Sequence, residues 1–154
     1  MPGVFKRRGA ISMYKKILVP TDGSEFSVRA FKTAVELAGL FQSEIVLIHV
    51  TYTPQALWGN TVPYGYVFSQ EDVAKNGQMA LDATMAEVSA EGVPTKTVLE
   101  IGHPVIKIID QIKKDGIDLV VIGSHGYGPI TGSVLGSVSQ RVLQKSPVPV
   151  LLVK

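Results

Sequence analysis

Cysteine is absent from this 154-residue chain. Its absence excludes disulfide bonds, thiol catalysis and zinc sites built on cysteine thiolates. The chain holds three histidines, which are far apart in the sequence and predict no metal cluster. No apolar run approaches the roughly 18 residues of a membrane-spanning helix, and no signal-peptide pattern is found. We therefore expect a cytoplasmic protein with no membrane partner.

A basic surface of the kind that binds nucleic acid is also missing. Lys6, Arg7 and Arg8 account for three of the 15 basic residues, so the rest of the chain carries 12 basic residues against 13 acidic ones. Nucleic-acid-binding domains carry positive charge across one face. We therefore expect no nucleic-acid partner. Residues 1–13 are expected to form a flexible basic tail and residues 14–154 a single domain.

The two most familiar phosphate-binding motifs do not occur. No stretch matches the Walker A pattern G-x-x-x-x-G-K-[ST], and residues 126–131 read GYGPIT, which fails the dinucleotide pattern G-x-G-x-x-G. Lysine and arginine are absent from residues 123–137. Enzymes that transfer phosphoryl groups usually place such a cation on the β- and γ-phosphates. If this loop holds phosphate, we expect slow hydrolysis at most.

What the sequence does contain is an alternation of apolar runs with helical patterns. The runs that predict strands are Ile17–Val19, Glu44–Val50, Thr95–Ile101, Asp118–Ile122 and Val148–Val153. The predicted helices begin near Ser24, Ser69, Pro104 and Gly136, and they end near Gly39, Gly92, Gly116 and Lys145. This alternation predicts an α/β fold in which a five-stranded parallel sheet carries helices on both faces.

Residues 51–68 interrupt the alternation. They contain five of the chain's 11 aromatic residues. A connection of this length is usually functional or disordered, and its aromatic side chains must pack on something. Two alternatives stay open, of which the first is the preferred one: a loop packed over the sheet end or against another subunit, or a lid over a ligand.

The chemistry of the chain is concentrated in the glycine-rich residues 123–139, between the fourth strand and the last helix. Glycine allows close backbone approach, loop amides point at an anion, and a helix N-terminus adds partial positive charge. This combination predicts a nucleotide-binding site. The candidate residues are Gly123, Ser124, His125, Gly126, Gly136, Ser137, Val138 and Ser139. His125 is either a contact to phosphate or ribose or an ordinary exposed loop histidine.

Asp22 follows the first strand and is the candidate acidic residue. It either accepts hydrogen bonds from a ribose or an adenine edge, meets a magnesium ion through water, or caps the first helix. We favour ligand contact. The other two histidines have simpler interpretations: His49 falls in a buried strand and is expected to pack in the core, and His103 precedes Pro104 as a neighbour of the helix cap.

The spacing Gly123-x2-Gly126-x9-Gly136-Ser137 matches G-x2-G-x9-G-[ST], and here the sequence resembles the ATP-binding branch of the universal stress protein family. KILVPTDGS from residue 16, Ile48-His49-Val50 and SPVPVLLV from residue 146 extend the resemblance over residues 14–154. It implies an adenine-nucleotide alpha-hydrolase-like fold with strand order 3-2-1-4-5. The ligand crevice then lies between the first and fourth strands.

The same resemblance implies the ligand and the assembly. ATP, ADP or AMP is expected, with Mg²⁺ carried by the nucleotide, near Asp22. Main-chain groups at Thr21 and Val50 flank the adenine, and Pro20 shapes that wall. The family pairs its last strand with its twin, which implies a homodimer through Val148–Val153.

Three functions remain open at this stage. The first is a regulatory ATP-binding protein of the stress response that acts through an unidentified protein partner. The second is a slow ATPase or self-phosphorylating enzyme that uses Thr131, Ser137 or Ser139. The third is a dimeric interaction module without nucleotide, because Tyr127 and Pro129 are bulky and stiff for a phosphate loop.

Overall fold

The computed structural model describes residues 13–52, 69–127 and 135–154. The elements of this part of the chain are β1 Lys16–Pro20, α1 Glu25–Phe41, β2 Glu44–Thr51, α2 Gln70–Glu87, β3 Thr95–Ile101, α3 Pro104–Asp115, β4 Leu119–Gly123, α4 Ser137–Lys145 and β5 Val150–Val153. The predicted tail, apart from Met13, lies outside the described residues, as do residues 53–68 and 128–134.

The five strands form one parallel sheet in the order β3-β2-β1-β4-β5. Apolar clusters cover both of its faces because successive strand side chains point to opposite sides. Ile17 of β1 packs with Phe31 of α1 on one face, and Leu18 packs with Ile108 of α3 on the other. The predicted α/β fold and its strand order are confirmed. Burial on both faces explains why β1, β2 and β4 are nearly continuous apolar runs, whereas the edge strand β3 alternates and is partly exposed.

Local signals account for most helix ends. The Ser24 and Ser69 side chains accept hydrogen bonds from the amides of Ser27 and Asp72, which caps α1 and α2. Pro104 occupies the first turn of α3, and Gly116 ends that helix in the left-handed conformation. These starts and stops agree with the prediction. Among the described residues, no helix combines the length and the apolar character that crossing a membrane requires.

Some predicted boundaries are wrong. The first helix does not stop at Gly39; it continues to Phe41, and Gln42 takes the left-handed conformation while its N–H bonds to the Ala38 carbonyl. A glycine inside a helix costs only about 1 kcal/mol, so Gly39 does not end it. The last strand begins at Val150 rather than Val148, since Pro149 has no N–H for the ladder.

The fourth strand is displaced by one residue and covers Leu119–Gly123. Asp118 lies just before it, and its carboxylate oxygens accept the amides of Lys15 and Lys16 at 2.9 and 3.1 Å. This side chain therefore ties the start of β4 to the start of β1. The tie lies at the amino ends of the strands, opposite the candidate site.

Candidate functional site

The strand order places the two polar loops side by side. β1 pairs with β2 on one side and with β4 on the other. The connections that leave β1 and β4 therefore run in opposite directions, and this opens a crevice at the carboxyl ends of the strands. A cavity of about 550 Å³ lies there. That volume falls in the range of small-molecule pockets, roughly 300–1,000 Å³.

The cavity wall combines apolar side chains with backbone and hydroxyl groups. Ile48, Val50, Ile108 and Ile122 supply aliphatic surface from β2, α3 and β4. The loop after β1 and the residues on either side of 128–134 supply the polar part. No lysine or arginine of the described residues lines the cavity. The wall suits a ligand with one apolar part and one polar part.

Eleven of the twelve residues predicted from the sequence line this cavity. The exception is Ser124, which is 3% exposed. Its carbonyl accepts the Gly136 amide at 2.7 Å and the Ser139 hydroxyl at 3.0 Å. Ser124 therefore holds the start of α4 against the end of β4, and the same two bonds occupy the Gly136 amide and the Ser139 hydroxyl proton. Ligand contact by the other residues remains a prediction.

The carboxylate of Asp22 joins the two loops. Oδ1 accepts the Ser24 amide at 2.9 Å and the Ser27 hydroxyl at 3.1 Å, while Oδ2 accepts the Tyr127 amide at 3.3 Å. The α1 cap is Ser24 rather than Asp22. Asp22 thus has a structural role, supporting the turn before α1, and also forms part of the cavity wall.

The start of α4 opens on the cavity without a side-chain cap. Its N-cap residue is Gly136, and the first intrahelical bond runs from the Gln140 amide to the Gly136 carbonyl at 3.0 Å. The amides of Ser137, Val138 and Ser139 precede that bond. All three residues line the cavity. The partial positive charge of a helix N-terminus attracts anions, so this end of the wall can hold phosphate.

The sequence alone does not identify Tyr127 as a site residue. Its hydroxyl donates to the Gly23 carbonyl at 2.8 Å, and its amide donates to Asp22, so it links the loop after β4 to the turn after β1. Tyr127 is 75% exposed. A side chain so exposed lines the rim and does not plug the cavity. A bulky residue in a glycine-rich loop was its only sequence signal.

The three histidines lie in different surroundings. His49 is half-buried in β2, and its Nδ1 donates to the Thr21 carbonyl at 2.8 Å. His103 occupies the cap position of α3 but makes no capping hydrogen bond with its side chain. His125 lines the cavity, and its ring centroid lies 5.3 Å from that of Phe26. Within the described ranges, no three histidine, aspartate or glutamate side chains could jointly hold a metal ion.

Comparison with known proteins identifies relatives over almost the whole chain. The pattern of the Universal stress protein family matches residues 13–154. Universal stress protein YxiE of Bacillus subtilis is 34% identical over 148 residues, covering 92% of this chain and 100% of the relative. Universal stress protein MJ0531 of Methanocaldococcus jannaschii is 33% identical over 147 residues, covering 96% of this chain and 86% of the relative.

Solved structures of universal stress proteins share the fold of this chain. The structure of MJ0577, also from M. jannaschii, aligns with a TM-score of 0.75 and 29% identity over 92% of this chain and 96% of its own. UspA from Lactobacillus plantarum aligns at 0.72 with 26% identity over 92% and 98%. A universal stress protein solved in complex with cAMP has 24% identity and a TM-score of 0.66 over 92% and 98%, and so shares the fold.

Proposed function

The chain belongs to the universal stress protein family, and we propose that it is a regulatory protein that binds an adenine nucleotide in the crevice between β1 and β4. One observation carries this proposal: the uncapped start of α4 lines the same cavity as Asp22. Backbone amides at a helix N-terminus bind phosphate without a cationic side chain. ATP is the proposed resident ligand, because the glycine and serine spacing at residues 123–137 resembles that of the ATP-binding branch.

The aliphatic wall supports the placement of the base. Pro20 and Ile48 form the last pair between β1 and β2, and the Ile48 carbonyl accepts the Thr21 amide at 2.8 Å. Val50 lies two residues further along β2, so its main-chain groups point to the same side, beyond the last paired residue of β1. The adenine edge is proposed to meet these main-chain groups, while the ring lies on Ile108 and Ile122.

The charges around the cavity favour holding the nucleotide over cleaving it. No described lining residue is a lysine or arginine, and residues 128–134 contain neither in their sequence. Mg²⁺ is proposed to arrive with the nucleotide, near Asp22. Ser139 is 4% exposed and donates to the Ser124 carbonyl, so it is poorly placed to accept a phosphoryl group. Ser137 is exposed and is the better candidate for slow self-phosphorylation.

The assembly proposal rests on β5, which is the last strand of the sheet. Leu151 is 39% exposed on this edge. Natural proteins cover or pair apolar edge strands because unpaired ones promote aggregation. We propose that residues 148–153 pair with a second copy and that a regulatory protein reads the resulting dimer. Light scattering tests the first part, and a particle of 16.6 kDa at micromolar concentration would contradict it.

The experiment that tests the function identifies the ligand directly. The protein is purified without added nucleotide and denatured, and the released small molecules are identified by mass. Calorimetric titrations of the emptied protein with ATP, ADP, AMP, cAMP and GTP then rank the affinities. cAMP is included because a protein of the same fold was solved with it. We expect ATP to be the tightest ligand. The proposal is refuted if no adenine nucleotide copurifies and none binds at millimolar concentration.

A further inference from the structure

A group of buried hydroxyl side chains connects Asp22 in the cavity wall to α2. Thr21, Ser27 and Thr84 are each at most 5% exposed. Thr84 belongs to α2 and does not line the cavity. Its Oγ1 lies 2.7 Å from the Thr21 hydroxyl, which lies 3.0 Å from the Ser27 hydroxyl, which lies 3.1 Å from Asp22 Oδ1. A continuous chain of three links therefore runs from α2 to the carboxylate in the cavity wall.

The number of hydroxyl protons limits the directions in which these hydrogen bonds can run. Each hydroxyl has one proton to donate, so three protons are available for three links. Thr84 and Ser27 each have a second acceptor in their own helix or its cap, the Ala80 carbonyl and the Ser24 carbonyl, both at 2.8 Å. If either hydroxyl donates only to that carbonyl, one proton fewer is available and one link is lost. The negative charge of Asp22 favours the arrangement in which all three hydroxyl dipoles point toward it, because such chains polarise one another.

We propose that Thr84 is a positioning residue for the nucleotide site, which holds the Asp22 carboxylate in place through Thr21 and Ser27. This inference rests on the proposed function, in which Asp22 meets the ligand. Asp22 in turn accepts the Tyr127 amide. A change at Thr84 therefore reaches both loops of the crevice, although Thr84 itself contacts no ligand.

Two variants separate the hydroxyl from the rest of the side chain. Thr84→Val puts a methyl group where Oγ1 stands, 2.7 Å from the Thr21 oxygen. Carbon and oxygen normally approach no closer than about 3.3 Å, so valine removes the bond and pushes Thr21 away. Thr84→Ser keeps the hydroxyl and loses only the methyl group. Thr84 is fully buried, so both variants lose some stability. A loss of stability therefore does not distinguish a positioning role of the hydroxyl from simple packing of α2 on the sheet.

Nucleotide affinity distinguishes the positioning role from simple packing. We expect the ATP dissociation constant of Thr84→Val to rise about threefold to tenfold, the effect of one buried hydrogen bond. Thr84→Ser should stay within about twofold of the wild type. If Thr84 only packs α2 on the sheet, titrations at a temperature where all three proteins are folded will give the same affinity. Equal weakening in both variants would also overturn the inference, since the methyl group would then be responsible.

A second readout needs no nucleotide. The Ser24 and Tyr127 amides both donate to Asp22, so nuclear magnetic resonance of the free protein reports on the carboxylate. Thr84→Val should shift both amide protons and speed exchange at Ser24, whereas Thr84→Ser should not. The Ile117 amide, bonded to Ile112 in α3, is the reference. If the wild type binds no nucleotide, the proposed function fails, but these amide signals still show whether Thr84 positions Asp22. Unchanged Ser24 and Tyr127 amides in Thr84→Val would overturn the inference.

Discussion

Replacing Gly126 by alanine should weaken nucleotide binding without unfolding the protein. A Cβ at this position would come within 3.0 Å of Asp22 Oδ2, closer than carbon and oxygen normally approach. Either the loop or the carboxylate must move, and the bond from the Tyr127 amide to Asp22 is the first to be lost. A hydrogen bond to a charged group contributes about 1.5–3 kcal/mol. If that bond holds the two walls in place, affinity falls by roughly tenfold to 150-fold.

Gly39→Ala is the matched control. Nothing lies within 4 Å of a Cβ built at Gly39, which is inside α1. Calorimetric titration with ATP should give wild-type affinity for Gly39→Ala and greatly reduced affinity for Gly126→Ala. Gly126→Val, with a larger side chain, should abolish binding. If Gly126→Ala binds ATP within twofold of the wild type, the site is not where we place it.

Three further predictions concern neighbouring positions. In Gly123→Ala the new Cβ would lie 2.8 Å from the Phe26 backbone, so the free energy of unfolding should fall by about 1–3 kcal/mol in urea titration; unchanged stability would refute the tight packing of α1 on β4. Tyr127→Phe loses the bond to the Gly23 carbonyl, and stopped-flow measurements should show nucleotide release about threefold to tenfold faster; an unchanged release rate would mean that this link does not retain the ligand. Burial raises the pKa of Asp115, but hydrogen bonds from Lys96 and Gln111 outweigh it and hold the pKa below its ordinary value. A carboxyl group with a lowered folded-state pKa stabilises the protein above its unfolded-state pKa, about 3.9, and loses that contribution as pH falls through the folded-state value. Asp115→Asn should therefore be less stable than the wild type at pH 7, with a difference that narrows toward pH 2; a constant difference would contradict this.

The sequence predicts those parts of the fold that depend on neighbouring residues. Thr95–Ile101 was predicted with its observed bounds, and the limits of α3 follow from Pro104 and Gly116. Gly39 misled the prediction because the left-handed residue that ends α1 is Gln42, a choice that no glycine rule anticipates. The strand order came from the family resemblance, since alternation alone leaves several parallel orders possible.

The candidate site likewise has a part that the sequence predicts and a part that it does not. Residues 123–126 and 136–139 form a local motif that the sequence displays, and all of them except Ser124 line the cavity. The supporting contacts are not local: Asp22 and Tyr127 are 105 residues apart, and Thr21 and Thr84 are 63 apart. Serine and threonine are common in helices and turns, so nothing in the sequence distinguishes Thr84 from an ordinary helical threonine.

The first amides of α4 are proposed to hold the phosphates. Titration of ¹⁵N-labelled protein with ATP and, separately, with adenosine tests this proposal most directly. We expect the amide signals of Ser137 and Val138 to shift strongly with ATP and little with adenosine, while the Val50 amide shifts with both. If ATP binds and leaves the Ser137 and Val138 signals unmoved, the phosphates lie elsewhere and the proposal is wrong.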